Sequence, residues 1–289
     1  MKLRDAVKDA QQRLAEAGVP DAQFDGRAIA AHVLDVKLSK LAIHQGRLLT
    51  GDELTALDTL VSRRAGREPL QYLLGVTEFY GREFLCDPRA LIPRPDTESL
   101  IDSALEFIKH LIIGTIAEIG TGSGVIAITL AHEIPHSRII ATDSSESALE
   151  LAAENVEMHA VGRHVSLDQG SWLEPLHEGG VAAEVEMLVS NPPYVSAEEF
   201  EMLMPEIVQH EPREALVDAD PDGMGGYRAL VDGCRELPSL RAIIFEVGDG
   251  QATAVADLMG RQLDVHELIM RKDIGRIDRV VAAVLGSGQ

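Results

Sequence analysis

Cysteine is scarce in this chain. Only Cys86 and Cys234 occur among 289 residues, far apart and in no metal-like spacing. Two scattered thiols make neither a disulfide framework nor a metal site, so a reducing compartment is expected. Long apolar runs are missing too. No stretch approaches the roughly 20 residues of a membrane span, and the opening MKLRDAVKDAQQRL holds no apolar core suited to a signal peptide. The expectation is a soluble, cytoplasmic protein with no membrane partner. Positive charge is the third shortage, with 26 Lys and Arg against 47 Asp and Glu, a formal charge of −21. Duplex binders draw most of their non-specific affinity from Lys and Arg at phosphates, so no nucleic-acid partner is expected.

The remaining composition is ordinary. Hydrophobic residues make up 45% and charged residues 25%, which argues against disorder, and the length suggests two domains. The charge divides unevenly. Residues 1–95 carry 14 basic and 13 acidic residues, whereas 96–289 carry 12 and 34. Acidic surface can serve solubility alone; here it also suggests a catalytic half that attracts a cationic partner.

Residues 1–70 read as a small helical domain. Leu3, Ala6, Val7, Ala10, Leu14 and Ala17 recur at helical spacing until Gly18 and Pro20. A second helix is expected around Arg27–Leu34 and a short one after Ser39. Thr50 and Glu53 form a capping box for a third, with Gly66 at its end. The cluster Arg63, Arg64 and Arg67 reads as a solvated helix end. Residues 71–95 form a linker, with a hairpin flanking Gly81 and an extended stretch stiffened by Pro88, Pro93 and Pro95. Asp96 or Thr97 is placed to cap the next helix.

Residues 96–289 alternate short apolar strands with helices. Strands are expected at 115–119, 138–142, 165–168, 187–190, 242–247, 264–270 and 278–285. This pattern implies an α/β fold with a doubly wound parallel sheet, its last two strands pairing antiparallel. Between the first strand and its helix lies Glu118-Ile-Gly120-Thr121-Gly122-Ser123-Gly124. Glycines there let a ligand approach the backbone closely. A dinucleotide fingerprint needs G-x-G-x-x-G, but position 125 is Val, which disfavours NAD. Asp143, closing the second strand, can accept hydrogen bonds from both hydroxyls of a ribose. The pair favours an adenosine cofactor without pyrophosphate, and S-adenosyl-L-methionine fits.

Asn191-Pro192-Pro193-Tyr194 follows the strand at 187–190. Two prolines stiffen the loop and leave carbonyls free. The Asn191 side chain and the Pro192 backbone offer two acceptors for a planar NH₂ group, and Tyr194 offers a flat face. Asn-Pro is also a common turn start, but its place after a late strand, in a chain with the glycine loop, favours a site.

The glycine loop, Asp143 and Asn-Pro-Pro-Tyr together resemble a class I methyltransferase acting on an amide or amino nitrogen. The wider pattern spans nearly the whole chain: Arg67-Glu-Pro69-Leu-Gln71-Tyr72, Phe79-Tyr-Gly81, Leu91-Ile-Pro93-Arg94-Pro95-Asp96-Thr97-Glu98, Glu211-Pro212-Arg-Glu-Ala215-Leu216, Asp222-Gly223, Tyr227-Arg228 and Glu246-Val-Gly248. It closely resembles the HemK/PrmC-type peptide chain release factor glutamine methyltransferases. That resemblance implies a Rossmann-like seven-stranded methyltransferase domain over 96–289, preceded by the helical domain and β-hairpin linker. It implies methyl transfer from S-adenosyl-L-methionine, leaving S-adenosyl-L-homocysteine, to N5 of the glutamine in the GGQ motif of bacterial release factors, by a monomer.

The same resemblance implies cofactor contacts at Glu118, Gly120, Thr121, Gly122, Ser123, Gly124, Asp143, Trp172 and Asn191. Substrate contacts fall on Asn191, Pro192, Pro193 and Tyr194, with Asn191, Pro192 and Tyr194 as the catalytic set and no metal. His210 reads as structural. Asp96 stands where the family usually has Glu, and Glu118 where Asp is usual. Extra residues around Glu178-Gly-Gly180 lengthen the loop after Trp172. The competing readings are a ribosomal-protein glutamine methyltransferase, an adenine-N6 DNA methyltransferase, which the acidic charge disfavours, and a non-catalytic adaptor keeping the fold.

Overall fold

The computed structural model describes residues 1–109, 112–273 and 275–286. Two compact units emerge from it, Met1–Val76 with Met204–His210, and Thr77–Leu203 with Glu211–Gln289.

The first unit holds α1 (Leu3–Glu16), α2 (Ala22–Val33), α3 (Gly51–Ala65) and α4 (Leu70–Leu74). Leu3, Ala6, Ala10 and Leu14 of α1 meet Ala28 and Ile29 of α2 and Leu57 and Val61 of α3 in one core. Thr50 and Glu53 close the expected capping box, each accepting the other's backbone N–H. The helix ends at Gly66, as the sequence led us to expect. Gly66 keeps a negative φ of −75°, and Arg67 takes the left-handed conformation at φ 71°.

The arginine cluster also departs from expectation. Arg63 pairs with Glu68 at the surface, but Arg64 is only 6% exposed. Its Nε donates to Asp25 at 2.7 Å and its Nη1 to Glu206 at 3.0 Å. Arg67 donates to both oxygens of Glu206, at 2.8 and 2.5 Å. Burial raises the Asp25 carboxyl despite Arg64. At Glu206, Arg67 and Arg64 outweigh burial and the carboxyl is lowered. The "solvated end" is thus a buried ion network, built on a carboxylate about 140 positions away in sequence.

The second unit opens on the hairpin β1 (Val76–Phe79) and β2 (Arg82–Leu85). Tyr80 and Gly81 both have positive φ, at 50° and 70°, the geometry that suits a two-residue hairpin turn. Phe79 and Phe84 are buried. After α5 (Glu98–Ile108) come β3 (Thr115–Ile119), α6 (Val125–Glu133), β4 (Arg138–Asp143), α7 (Glu146–Met158), β5 (Val165–Gln169), α8 (Glu174–Glu178) and β6 (Met187–Ser190). Then follow α9 (Ala197–Phe200), α10 (Pro205–His210, part of the first unit), α11 (Gly225–Gly233), β7 (Ala242–Glu246), α12 (Ala252–Gln262), β8 (Val265–Lys272) and β9 (Asp278–Leu285).

Among the described residues the sheet runs β5-β4-β3-β6-β7-β9-β8. The first five strands are parallel, and β9 lies antiparallel between β7 and β8. Strands β3, β6 and β7 are wholly buried, as their mostly apolar sequences require, with Glu118 in β3 and Glu246 in β7 as buried exceptions. One core, with Ile116, Ile128, Ile139 and Met187, covers one face; another, with Ile119, Leu188, Tyr227 and Phe245, covers the other. Each such side chain contributes roughly 1.5–3 kcal/mol on burial. The order of the parallel strands reverses between β3 and β6, so the loops after them open a crevice at their carboxyl ends.

Cys86 and Cys234 are both buried and free, and burial pushes each thiol up to about 12. No helix among the described residues is long and apolar enough to cross a membrane, and no cluster of side chains there suits a metal ion.

Candidate active site

The crevice holds a cavity of about 480 Å³. The glycine loop forms its floor. Gly120 and Thr121 both donate their backbone N–H to Thr142 O at 2.9 Å, and Gly124 N–H returns to Thr121 O at 2.9 Å. Gly120, Gly122 and Gly124 have φ of 77°, 54° and 83°, a region costly for side-chain-bearing residues. At Gly120 an added Cβ would meet only Asn191 O at 3.9 Å, so this backbone faces open space. At Gly124 it would press on Ile128 and Ala152 at 3.2–3.3 Å. The first glycine therefore admits a ligand, and the last admits helix packing.

Asp143 closes β4 beside the loop. Its Oδ2 accepts the Gly122 N–H at 2.8 Å and its Oδ1 the Ser145 N–H at 2.9 Å. A carboxylate offers about four acceptor sites, so Asp143 keeps capacity for a ligand hydroxyl beyond its backbone donors. Burial raises this carboxyl, against the lowering by the Ser145, Gly122 and Ser144 backbone. Behind the loop, Glu118 is inaccessible. Thr121 Oγ1 donates to its Oε2 at 2.7 Å, its Oε1 has no partner among the described residues, and burial pushes its carboxyl up to about 8. Asn155 ties the loop to the hairpin, since its Nδ2 donates to Ser123 O at 2.9 Å while its Oδ1 accepts the Leu85 N–H at 2.7 Å.

The opposite wall comes from the turn after β6. Ser190 Oγ donates to Ile119 O at 2.7 Å, which fixes the strand end carrying Asn191. Asn191, Pro192 and Pro193 line the cavity together with Gly120, Thr121, Gly122, Ser123, Asp143 and Trp172. Of the residues anticipated from sequence, Glu118, Gly124 and Tyr194 do not reach it. The Tyr194 ring lies against Gly248, where a Cβ would come within 2.9 Å of its Cδ2. Burial pushes its hydroxyl up to about 12. Trp172, 38% exposed and at φ 50°, sits over Gly226, which has no room for a side chain because Trp172 Cη2 would be 2.9 Å away.

Some contributors were not anticipated. Thr97 does not cap α5 with its side chain; the 3₁₀ turn Pro95–Thr97 runs straight into the helix and turns Thr97 inward. Asn191 Nδ2 donates to Thr97 Oγ1 at 3.5 Å, and both side chains face the Glu246 carboxyl and favour its ionised form, against burial that pushes it up to about 7. Gln251 Nε2 donates to Tyr194 O at 3.1 Å and Gly223 O at 3.3 Å, while its Oε1 accepts the Gly248 N–H at 3.0 Å. Asp218 accepts the backbone N–H groups of Asp220, Gly225 and Gly226. Glu211 accepts from Ile92 N–H and pairs with Arg94, which orders the proline-rich stretch. A signal for Glu246 was present: like Asp143, it is a carboxylate closing an apolar strand.

This parallel sheet with an antiparallel seventh strand, its glycine loop and its strand-end acid define a class I methyltransferase. The structure overlays the hMettl16 catalytic domain with a TM-score of 0.56 at 15% identity, covering 80% of this chain and 92% of that one. A family model for the PrmC N-terminal domain matches residues 5–75, and one for the methyltransferase small domain matches 99–218. The release factor glutamine methyltransferase of Geobacter sulfurreducens is 37% identical over 274 residues, 94% of this chain and 93% of that protein. That of Cereibacter sphaeroides is 34% identical and covers 99% of both chains. The chain belongs to the release factor glutamine methyltransferase family.

Proposed function

We propose that this chain transfers the methyl group of S-adenosyl-L-methionine to the side-chain amide nitrogen of the glutamine in the GGQ loop of bacterial peptide chain release factors. The observation that carries this reading is the juxtaposition of Asn191 and Pro192, across one cavity, with Gly120 and Asp143. The cradle suits an adenosine-bearing cofactor: the backbone of Gly120 is open, and Asp143 keeps acceptor capacity for a ribose hydroxyl beside its backbone donors. Thr121, Gly122 and Ser123 line the same floor and Trp172 the adenine side. Glu118 and Gly124 support the loop from behind.

When bound, the cofactor supplies an electrophilic methyl on sulfonium. The chain's task is the nucleophile. An amide nitrogen is poor because its lone pair is delocalised into the carbonyl. Asn191 Oδ1 and Pro192 O grip its two hydrogens, raise its electron density and aim it, while Pro193 stiffens the turn. Tyr194 holds the turn against Gly248 and Gln251. The bound cofactor would supply the methyl carbon, with S-adenosyl-L-homocysteine as the leaving group, and the amide proton displaced by the transfer would pass to solvent. Positioning of this kind supplies roughly 7–11 kcal/mol in favourable cases, and an enclosed amide costs little once its hydrogens are paired.

Incubation of the enzyme, S-adenosyl-L-methionine and a release factor should add about 14 Da to the GGQ peptide by mass spectrometry. Asn191→Ala should lower labelled methyl transfer by about 10²–10⁴-fold, with cofactor binding by calorimetry within a few-fold of wild type. Equal turnover in that variant would count against the grip.

A further inference from the structure

Asn191 can accept from an incoming NH₂ group only if its carboxamide presents oxygen to the cavity. The two ends of a carboxamide have nearly the same shape, so the choice lies with hydrogen-bond partners. Those partners are internal. Asn191 Nδ2 donates to Thr97 Oγ1 at 3.5 Å, and Asn191 and Thr97 both face the Glu246 carboxyl closely enough to favour its ionised form. Thr97 is 4% exposed and Glu246 1%, so water competes little. Among the described residues Glu246 Oε2 has no partner, which leaves the other oxygen to face both donors. An ionised carboxylate has no hydrogen to give; a protonated one carries its proton on the free oxygen and still accepts on the other. In either state it selects the nitrogen end of Asn191.

The same carboxylate stands apart from the chemistry, since it does not line the cavity. Its backbone is fixed as well. Glu246 closes β7, and its carbonyl accepts the Tyr227 hydroxyl at 3.0 Å. Resting on the glutamine-amide reading above, we propose that Glu246, with Thr97 as its relay, is a positioning residue that locks the Asn191 carboxamide with nitrogen inward and oxygen toward the substrate amide.

The chain has only two asparagines, Asn155 and Asn191. Asparagine-selective ¹⁵N labelling of the full chain therefore yields two side-chain NH₂ pairs, which Asn191→Ala assigns. The Asn191 pair should exchange with solvent at least about tenfold faster in Glu246→Met than in wild type, and stay within about threefold in Glu246→Gln, which keeps an acceptor oxygen. Methyl transfer to a release factor should follow: kcat falls about 10–100-fold in Glu246→Met and Thr97→Val, with KM and the S-adenosyl-L-methionine Kd within about twofold, and Thr97→Ser restores it. If Glu246→Met loses its cooperative melt, Thr97→Val carries the same exchange measurement. Unchanged exchange in the apolar variants overturns the lock, whatever the substrate, because exchange is read without turnover. Equal losses in Glu246→Gln and Glu246→Met also overturn it, since charge rather than an acceptor would then be needed. A wild type that transfers no methyl group overturns the assigned substrate instead, and the exchange result still decides the lock.

Discussion

Glu118 and Glu246 are both almost inaccessible, and each has one carboxylate oxygen unpaired among the described residues. Burial raises them to about 8 and about 7, so between the ordinary carboxylate range and those values the folded chain holds protons that the unfolded chain has released. Their contribution to stability is fully present below about pH 4.5 and is lost as pH rises through 7 to 8. Melting temperature should therefore fall between pH 5 and 8.5, and Glu118→Gln should flatten that fall, as calorimetry across the range can measure. At this scale the sequence disclosed the strand-end acids and the Asn-Pro-Pro-Tyr acceptors, because each depends on residue type and a short spacing. It hid the Thr97–Asn191–Glu246 contact, which exists only because β6 lies beside β7 and the turn at 95–97 meets both.

Elements built from local rules were legible for a physical reason. The apolar runs Thr115–Ile119 and Met187–Ser190 are strands buried on both faces, and Thr50 with Glu53 satisfies its own helix end. The arginines at the end of α3 were misread because charge alone does not tell a solvated helix end from a buried partner. Glu206, which neutralises Arg64 and Arg67, lies 142 and 139 residues away. Replacing Arg64 with Met should leave Asp25 buried without its cation and destabilise the first unit by about 3–5 kcal/mol. Arg63→Ala, which breaks only a surface pair, should cost less than about 1 kcal/mol. Native-state hydrogen exchange of the α2 and α3 amides in the full chain would separate the two.

On the scale of the whole molecule the charge is uneven, with all the excess acid after residue 95. Acidic Glu214 and Asp220 line the same cavity as Asn191. A substrate loop with a cationic surround should be steered electrostatically to this acidic unit. Raising salt from about 50 to 300 mM, which shortens the screening length to a few ångström, should lower kcat/KM for a release factor about tenfold and leave kcat at saturation unchanged. Salt-independent kcat/KM would return the acidity to a role in solubility.

Strand β9 enters last in sequence yet lies inside the sheet, between β7 and β8, with Arg279 donating to Val247 O and pairing with Asp96 and Asp273. Synthesis proceeds from the N-terminus at roughly 5–20 residues per second. Throughout the making of residues 247–277, β7 must therefore wait with one edge unpaired, an invitation to foreign strands. The turn after β6 can be complete while the edge of β7 is still open. A ribosome that stalls late in this message would release a chain with its catalytic motifs intact and its sheet exposed, a natural substrate for chaperones.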